Sequence, residues 1–221
     1  AFSVNGPSQL TGSLAVIGQV SASSYVGDGS GLTGLGGAYG ISNSNGVYTY
    51  YATLSASIAA ASAGDVVEVF ADVIETNPVT ILFKNGVNIQ GNGHSYTLDY
   101  TGSEAAFADY MSENTTTGTD ISSSINNFNI RRLNGDSSKA PGYGSTIRIE
   151  NRTSGKQTEL NLHGSTIYND AAVTYNCNYR YGSIDGGYFH GDRDGNFGFL
   201  NANAPGDYLP YVKNITCYFP K

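Results

Sequence analysis

After Gly64 the sequence is divided into short pieces, each about as long as one β-strand. In "VTILFK", from Val79, and "VNIQG", from Val87, apolar residues alternate with other residues, and "STIRIEN" and "TELNLHG" follow the same rule. Alternation with a period of two places the apolar side chains on one face of a strand. The pieces are separated by glycine and asparagine, which favour turns. The sequence therefore predicts an all-β fold of many short strands.

One segment ahead of these strands has helical periodicity instead. Leu54 and Ile58 are four residues apart in an alanine-rich stretch, which predicts one short helix over residues 54–63. Either Thr53 or Ser55 can cap its first turn, because a hydroxyl there accepts a free backbone N–H.

The dipeptide Asn85–Gly86 lies between two of the predicted strands and is a strong hairpin signal, since it suits a type I′ turn. It keeps an antiparallel meander or sandwich open as a rival to a parallel arrangement.

Four segments share one outline, which favours the parallel arrangement. Each has an apolar residue, a polar residue, Asn or Gly, a variable residue, and then further apolar positions. They are "INNFNIRR", "LHGSTIYN", "IDGGYFHG" and "VKNITCYF", beginning at Ile125, Leu162, Ile184 and Val212. A repeated outline at irregular intervals fits the coils of a solenoid with loops of variable length. In such a fold Asn85–Gly86 is a corner between strands of different sheets.

Two longer stretches resemble known proteins. The stretch "TLSASIAAASAGDVVEVFADVIETNPVTILFKNGVNIQGNG", from Thr53, resembles the start of the right-handed parallel β-helix of pectin-lyase-like proteins, where a capping helix precedes the first coils. The stretch "LTGSLAVIGQVSASSYVGDGSGLTGL", from Leu10, is similar to a repeat of bacteriophage tail fibres and tailspikes, where it forms a trimeric stem or linker. Gly29, Gly31 and Gly34 have the spacing of a nucleotide-binding loop, but this second resemblance makes them a structural turn.

These resemblances imply a division into two parts: a small-residue-rich trimeric stem over residues 1–45 and a right-handed parallel β-helix over residues 46–221. They imply a structural or receptor-binding component of a phage virion appendage, located on the virion outside the cell. The expected partners are copies of the chain in a homotrimer, other virion proteins through the N-terminal segment, and host-surface polysaccharide. Two alternatives on the same scaffold stay open: a polysaccharide depolymerase, either a lyase or a glycoside hydrolase, and a bacterial surface adhesin.

The charge of the chain argues against two classes of partner. Charged residues make up 13% of the sequence, and the formal net charge is −7. Nucleic acids and anionic membranes both require clustered Lys and Arg, so neither is expected as a partner. No apolar run approaches the roughly 20 residues of a membrane span. No cofactor is expected, and no histidine or cysteine has metal-ligand spacing.

Several ionisable groups come together only in the segment "SIDGGYFHGDRDGNF". If the protein is an enzyme, its candidate catalytic residues are Asp185, His190, Asp192 and Asp194, because a glycosidase needs two carboxyl groups facing each other across a cleft. The segment is rich in glycine, which favours turns over the rigid wall of a cleft. We therefore expect the chain to bind or to space rather than to cleave.

Tyrosines are the candidates for stacking against a sugar ring, because the chain has no tryptophan. The candidates are Tyr181 and Tyr188, of which Tyr188 lies within the charged segment. In "VTYNCNYRYG" the alternation would project Asn178 and Arg180 outward beside them. These four residues are the candidate glycan-binding group, and packing in the core or between subunits is the alternative role for the tyrosines.

Overall fold

The structure of the protein is a computed structural model, and it describes several stretches of the chain. They are residues 37–42, 45–108, 121–136, 144–149, 158–170, 175–177, 182–191, 197–199 and 212–218. All of them belong to one compact unit, Leu32–Lys221. The other unit, Ala1–Gly31, lies outside the described residues, as does the predicted stem up to residue 36.

One helix and nineteen strands occupy the described residues. The N-terminal elements are β1 (Tyr39–Ser42), β2 (Tyr48–Tyr51), α1 (Leu54–Ala60), β3 (Val66–Val69), β4 (Val73–Glu75), β5 (Ile81–Leu82), β6 (Asn88–Gln90), β7 (Ser95–Gly102) and β8 (Phe107–Ala108). They are followed by β9 (Ile121–Asn126), β10 (Asn129–Gly135), β11 (Ile147–Ile149), β12 (Thr158–Asn161), β13 (Thr166–Asn169), β14 (Tyr175–Cys177), β15 (Gly182–Asp185), β16 (Tyr188–Gly191), β17 (Phe197–Phe199), β18 (Val212–Lys213) and β19 (Thr216–Tyr218).

The strands form three sheets, and the chain visits them in turn. Sheet 1 has the order β18-β15-β12-β9-β6-β3-β1-β2, sheet 2 the order β19-β16-β13-β10-β7-β4, and sheet 3 the order β17-β14-β11-β8-β5. From β3 onward each strand pairs with the third strand along the chain, and all these pairs are parallel. Only β1 pairs antiparallel within the described residues, with β2 and β3. The predicted all-β fold with parallel sheets is confirmed at this level.

The predicted boundary after residue 45 falls between β1 and β2, which pair with each other residue by residue. The strand β1, on the N-terminal side of that boundary, also pairs with β3.

The antiparallel rival is wrong at the position that suggested it. The strands on either side of Asn85–Gly86, β5 and β6, belong to sheet 3 and sheet 1 and do not pair with each other. Gly86 donates its backbone N–H to the Ser122 carbonyl at 2.9 Å, and Asn85 Oδ1 accepts the Ser122 N–H at 3.0 Å. The dipeptide is therefore a corner between strands of different sheets, as the parallel alternative predicted, and it bonds to the start of β9.

The four-segment repeat describes the corner between sheet 1 and sheet 2. Its third position has a left-handed backbone in every copy: φ is 49° at Asn127, 63° at Gly164, 81° at Gly186 and 56° at Asn214. Its sixth position lies on sheet 2, where the four copies pair in register: Ile130, Ile167, Phe189 and Cys217. Glycine and asparagine tolerate the left-handed region best, which explains why the third position varies only between them.

Inward-facing residues of all three sheets form one apolar core, which α1 covers beside the first strands. Thr53 caps the helix, since its Oγ1 accepts the Ala56 N–H at 3.1 Å, and Leu54 and Ile58 are buried. The Lys84 ammonium donates to the Ala59 carbonyl at 2.8 Å and also to the Ala61 carbonyl. A cation bonded to the last free carbonyls stabilises a helix end. The predicted helix is thus confirmed, although it ends at Ala60, three residues earlier than expected.

Polar side chains lie inside the fold beside this apolar core. Arg132, on β10, is fully buried and donates to the backbone carbonyls of Glu104 and Gly102, each at 2.9 Å, and to that of Leu133. Its inward neighbour on β13, Asn169, is also buried and donates to the Gly144 carbonyl at 3.0 Å. Burial lowers the pKa of Arg132, while nearby carboxylates oppose that shift. The guanidinium therefore satisfies backbone carbonyls near the point where the register between β7 and β10 shifts.

We predict that Arg132→Leu destabilises the protein by about 3–5 kcal/mol, because it leaves the carbonyl oxygens of Gly102, Glu104 and Leu133 without their hydrogen-bond donors. The control is Arg131→Leu, since Arg131 is the neighbouring arginine on the same strand and is exposed. It should change the free energy of unfolding by less than about 0.5 kcal/mol. Urea unfolding followed by circular dichroism measures both values. Equal effects of the two substitutions would contradict the role given to Arg132.

We also predict that Gly91→Ala is strongly destabilising. A Cβ at Gly91 would lie 2.4 Å from the Asn127 carbonyl oxygen and 2.4 Å from Phe128 Cα, both in the backbone of the corner that joins β9 to β10. That corner is paired on both sides, since the Asn126 carbonyl accepts the Gly91 N–H and Asn127 donates its N–H to the His163 carbonyl. Neither neighbour can move without breaking the pairing, so we expect a loss of about 3 kcal/mol or more. Gly46→Ala is the control, because Gly46 has a positive φ but open space around it, and should cost about 1 kcal/mol. Thermal unfolding of both variants tests the order of these effects.

Candidate functional site

The structure describes three of the residues that the sequence predicts for a site: Asp185, Tyr188 and His190. The others lie outside the described residues, and they are Asn178, Arg180, Tyr181, Asp192 and Asp194. The three described residues come from two sheets, because Asp185 ends β15 of sheet 1 and the other two lie on β16 of sheet 2.

Asp185 is held in an ion pair with the next strand of its sheet. Its partner in the parallel register is Lys213, whose ammonium lies 3.1 Å from the carboxylate, and Asn214 Nδ2 donates to Oδ1 at 2.7 Å. The hydrogen bond from Asn214 and the interaction with Lys213 lower the pKa of Asp185. A carboxyl group that stays ionised cannot act as a general acid near neutral pH. Asp185 therefore has the environment of a structural carboxylate at a corner.

His190 lies on the outer face of sheet 2, in a column of side chains from four strands. The seventh position of the repeat supplies this column: Arg131 on β10, Tyr168 on β13, His190 on β16 and Tyr218 on β19, which pair in register. We call these four residues the outer column. Each outer-column residue follows directly after a sixth-position residue, and three of those, Ile130, Ile167 and Phe189, are buried in the core. Because successive side chains alternate between the two faces of a strand, the outer-column side chains leave the opposite face of the sheet.

The side chains of the outer column are in contact along its length. Arg131 Cζ lies 5.2 Å from the centre of the Tyr168 ring. The ring centres of Tyr168 and His190 are 5.3 Å apart, and those of His190 and Tyr218 are 5.2 Å apart. These distances are close to the strand spacing of about 4.8 Å, because the backbone pairing sets the repeat of the side chains. Tyr218, at one end of the column, is 54% exposed.

A second, more polar column runs beside the first, two residues earlier on each strand. It consists of Asn129, Thr166, Tyr188 and Thr216, which also pair in register. The ring of Tyr188 is exposed and lies 6.3 Å from that of His190, centre to centre. Hydroxyl and amide groups thus line one side of the aromatic column. A surface that combines aromatic rings with hydrogen-bonding groups can bind a ligand that has both apolar and hydroxyl faces.

Sequence reasoning identified Tyr188 as a ligand-binding candidate but missed Arg131, Tyr168 and Tyr218. The signal was present, since all three occupy the seventh position of a repeat whose third and sixth positions have one structural role each. His190 was assigned to a catalytic group, whereas its ring contacts in the described residues are with tyrosines.

Two further clusters have local structural explanations. Asn134, with φ of 57°, donates its side-chain N–H to Asp99 Oδ1 at 2.7 Å and its backbone N–H to Asp170 Oδ1 at 2.9 Å, so both carboxylates fix one corner. At the other end of the fold, the rings of Tyr48, Tyr50 and Phe70 contact one another on sheet 1.

Comparison of the sequence and structure with protein families, with curated proteins and with solved structures finds no significant match. Within the described residues, no group of three or more histidine, cysteine or acidic side chains is placed to hold a metal ion. The helix of the described residues, α1, is too short to cross a bilayer.

We predict that Asp185 titrates below the ordinary aspartate pKa of about 3.9. Its stabilising effect should be complete above that value and be lost as the pH falls through the lower pKa of the folded state. Asn214→Ala removes the larger cause of the shift, and Lys213→Gln removes the smaller one. Both should therefore raise the titration midpoint of the Asp185 carboxyl carbon measured by NMR. A midpoint that neither variant moves would contradict this assignment.

Proposed function

We propose that the chain is a receptor-binding or structural component of a phage virion appendage, and that it attaches to host-surface glycan through the outer face of sheet 2. The observation that carries the proposal is the outer column, in which one cation and three rings follow one another at the spacing of the strands. A row of stacked side chains with a fixed repeat suits a linear polymer of ring-shaped units.

The fold that we propose for this role is a right-handed parallel β-helix with α1 at its N-terminal end. Two observations support it: the regular visit of the chain to three sheets, and the single core that the three sheets share. In such a scaffold the outward side chains of one sheet form straight columns by necessity, since each coil pairs with the next. The scaffold thereby keeps a binding surface rigid before the ligand arrives.

Binding without cleavage fits the described part of the surface better than catalysis does. A catalytic group must share its site with a second ionisable group of complementary role. Asp185 is instead neutralised by Lys213 on sheet 1, and His190 lies among rings on sheet 2. We propose a homotrimer, in which three copies of a weak surface bind one polymer together, because linked sites raise the overall affinity without new contacts.

The glycan-binding role predicts a defined effect of the exposed tyrosines. Tyr188→Ala and Tyr218→Ala should each weaken binding to host-surface polysaccharide by about 1–2 kcal/mol, or roughly five- to thirtyfold. Tyr50→Ala is the matched control, since Tyr50 is as exposed as Tyr188 (40% against 39%) but lies on sheet 1, and should bind like the wild type. Surface plasmon resonance on immobilised polysaccharide measures the affinities. Equal losses in all three variants would contradict a site on sheet 2.

The same preparations test the assembly and the depolymerase alternative. Light scattering should give three times the chain mass of 23.2 kDa, and a monomer would contradict the trimer. Polysaccharide incubated with the protein should keep its length distribution on a sizing column. Shortened chains that disappear in Asp185→Asn or Asp192→Asn would replace this proposal by a depolymerase.

A further inference from the structure

The outer column is chemically asymmetric, which bears on the class of glycan that it would accept. Its three rings, Tyr168, His190 and Tyr218, occupy one end, and the guanidinium of Arg131 occupies the other. Beyond Arg131 the register continues to Thr97 on β7 and to Ile74 on β4, neither of which carries a charge. Arg131 therefore lies directly next to the row of rings, at its end. Among the described strands of sheet 2, it is the only residue of this column that carries a permanent charge.

Arg131 is exposed and makes a cation–π contact with Tyr168. Its Cζ lies over the ring, 5.2 Å from the ring centre. Stacking on a ring holds a guanidinium flat and leaves the N–H groups at its edge directed away from the ring. This contrasts with Arg132, the next residue, whose N–H groups are bonded to backbone carbonyls. The N–H groups of Arg131 are thus exposed on the outer face of sheet 2 and are not occupied by the described backbone, which leaves them accessible to a ligand group.

The acidic groups near this face are already engaged. Asp72, at the corner before β4, accepts the Ser95 N–H at 2.8 Å and lies 3.4 Å from His94 Nδ1. Asp99, on β7, accepts from Asn134. Because the whole chain has a net charge of −7, a general attraction for polyanions is not expected, and recognition of an anionic group must depend on a local cation.

We infer that the outer column selects an acidic glycan, whose carboxylate, or another planar anionic group of like charge, pairs with Arg131 while neighbouring sugar rings lie along Tyr168, His190 and Tyr218. Arginine suits this role because its planar fork forms two parallel hydrogen bonds with a carboxylate. The hydroxyl and amide groups of the neighbouring column, at Asn129 and Thr166, are on the correct strands to bond hydroxyl groups of the same sugar units. The inference rests on the proposed glycan-binding function.

The test uses the full chain and an array of bacterial surface polysaccharides, both acidic and neutral. Each acidic polysaccharide is also presented after chemical reduction of its carboxylates to alcohols, which keeps the rings and removes the charge. The wild type should bind acidic members, and reduction should lower that binding roughly tenfold or more, as expected for losing a charged hydrogen-bonded pair. Arg131→Gln should lower the binding of the acidic form to the level of the reduced form, and should leave the reduced form unchanged.

Two controls separate this geometry from simple charge. Arg131→Lys keeps the charge but loses the fork, so it should recover only part of the affinity. Lys213→Gln removes an exposed cation from sheet 1 and should leave the preference unchanged.

The outcomes distinguish the two levels of the proposal. Equal binding of acidic and reduced forms, or binding that Arg131→Gln leaves unchanged, would overturn the inference while the glycan-binding function stands. Lack of binding to any polysaccharide would overturn both. Retained folding of the variants is checked by their melting temperatures, which should equal that of the wild type because Arg131 is exposed.

Discussion

Parallel pairing of each strand with the third strand along the chain governs the rest of this structure. Such pairing satisfies the backbone of every strand through its neighbours in the same sheet, and it fixes the register between residues far apart in sequence. Because side chains alternate between the two faces of a strand, a fixed register sorts them into inward and outward columns. The core, the buried polar residues and the candidate binding surface are all columns of this kind.

The inward columns show how much of the fold the sequence could predict. At the sixth position of the repeat, Ile130, Ile167 and Phe189 are apolar and pair in register, and the outline shared by the four segments already contained this apolar position. Two residues later the inward column contains Arg132 and Asn169. Polar residues at that spacing suggest an exposed face, and only the backbone carbonyls that they bind make their burial favourable. Those carbonyls converge through long-range pairing, which single-sequence patterns do not contain.

For the candidate site, spacing in the sequence was a poor guide to which residues lie together. Asp185 and His190 are five residues apart and looked like one ionisable group, but the left-handed corner at Gly186 and Gly187 sends them to different sheets. Arg131 and Tyr218 are far apart in sequence and yet belong to one column. The sequence analysis noted the Asn or Gly at the third position of each repeat, and the structure shows that this position is the corner. The neighbours across strands depend on the lengths of the loops between strands, which vary along the chain, so they could be found only once the register of the pairing was known.

The period of two also separates stability from recognition. In the same strands, the sixth position of the repeat holds Ile, Ile, Phe and Cys, whereas the seventh holds Arg, Tyr, His and Tyr. The inward position must fill a shared core, and a change there is felt by the strands on both sides. The outward position contacts side chains of the two outward columns instead of the core, so its chemistry can change without disturbing the core. A surface built in this way supplies side chains at a fixed spacing while leaving their identity free.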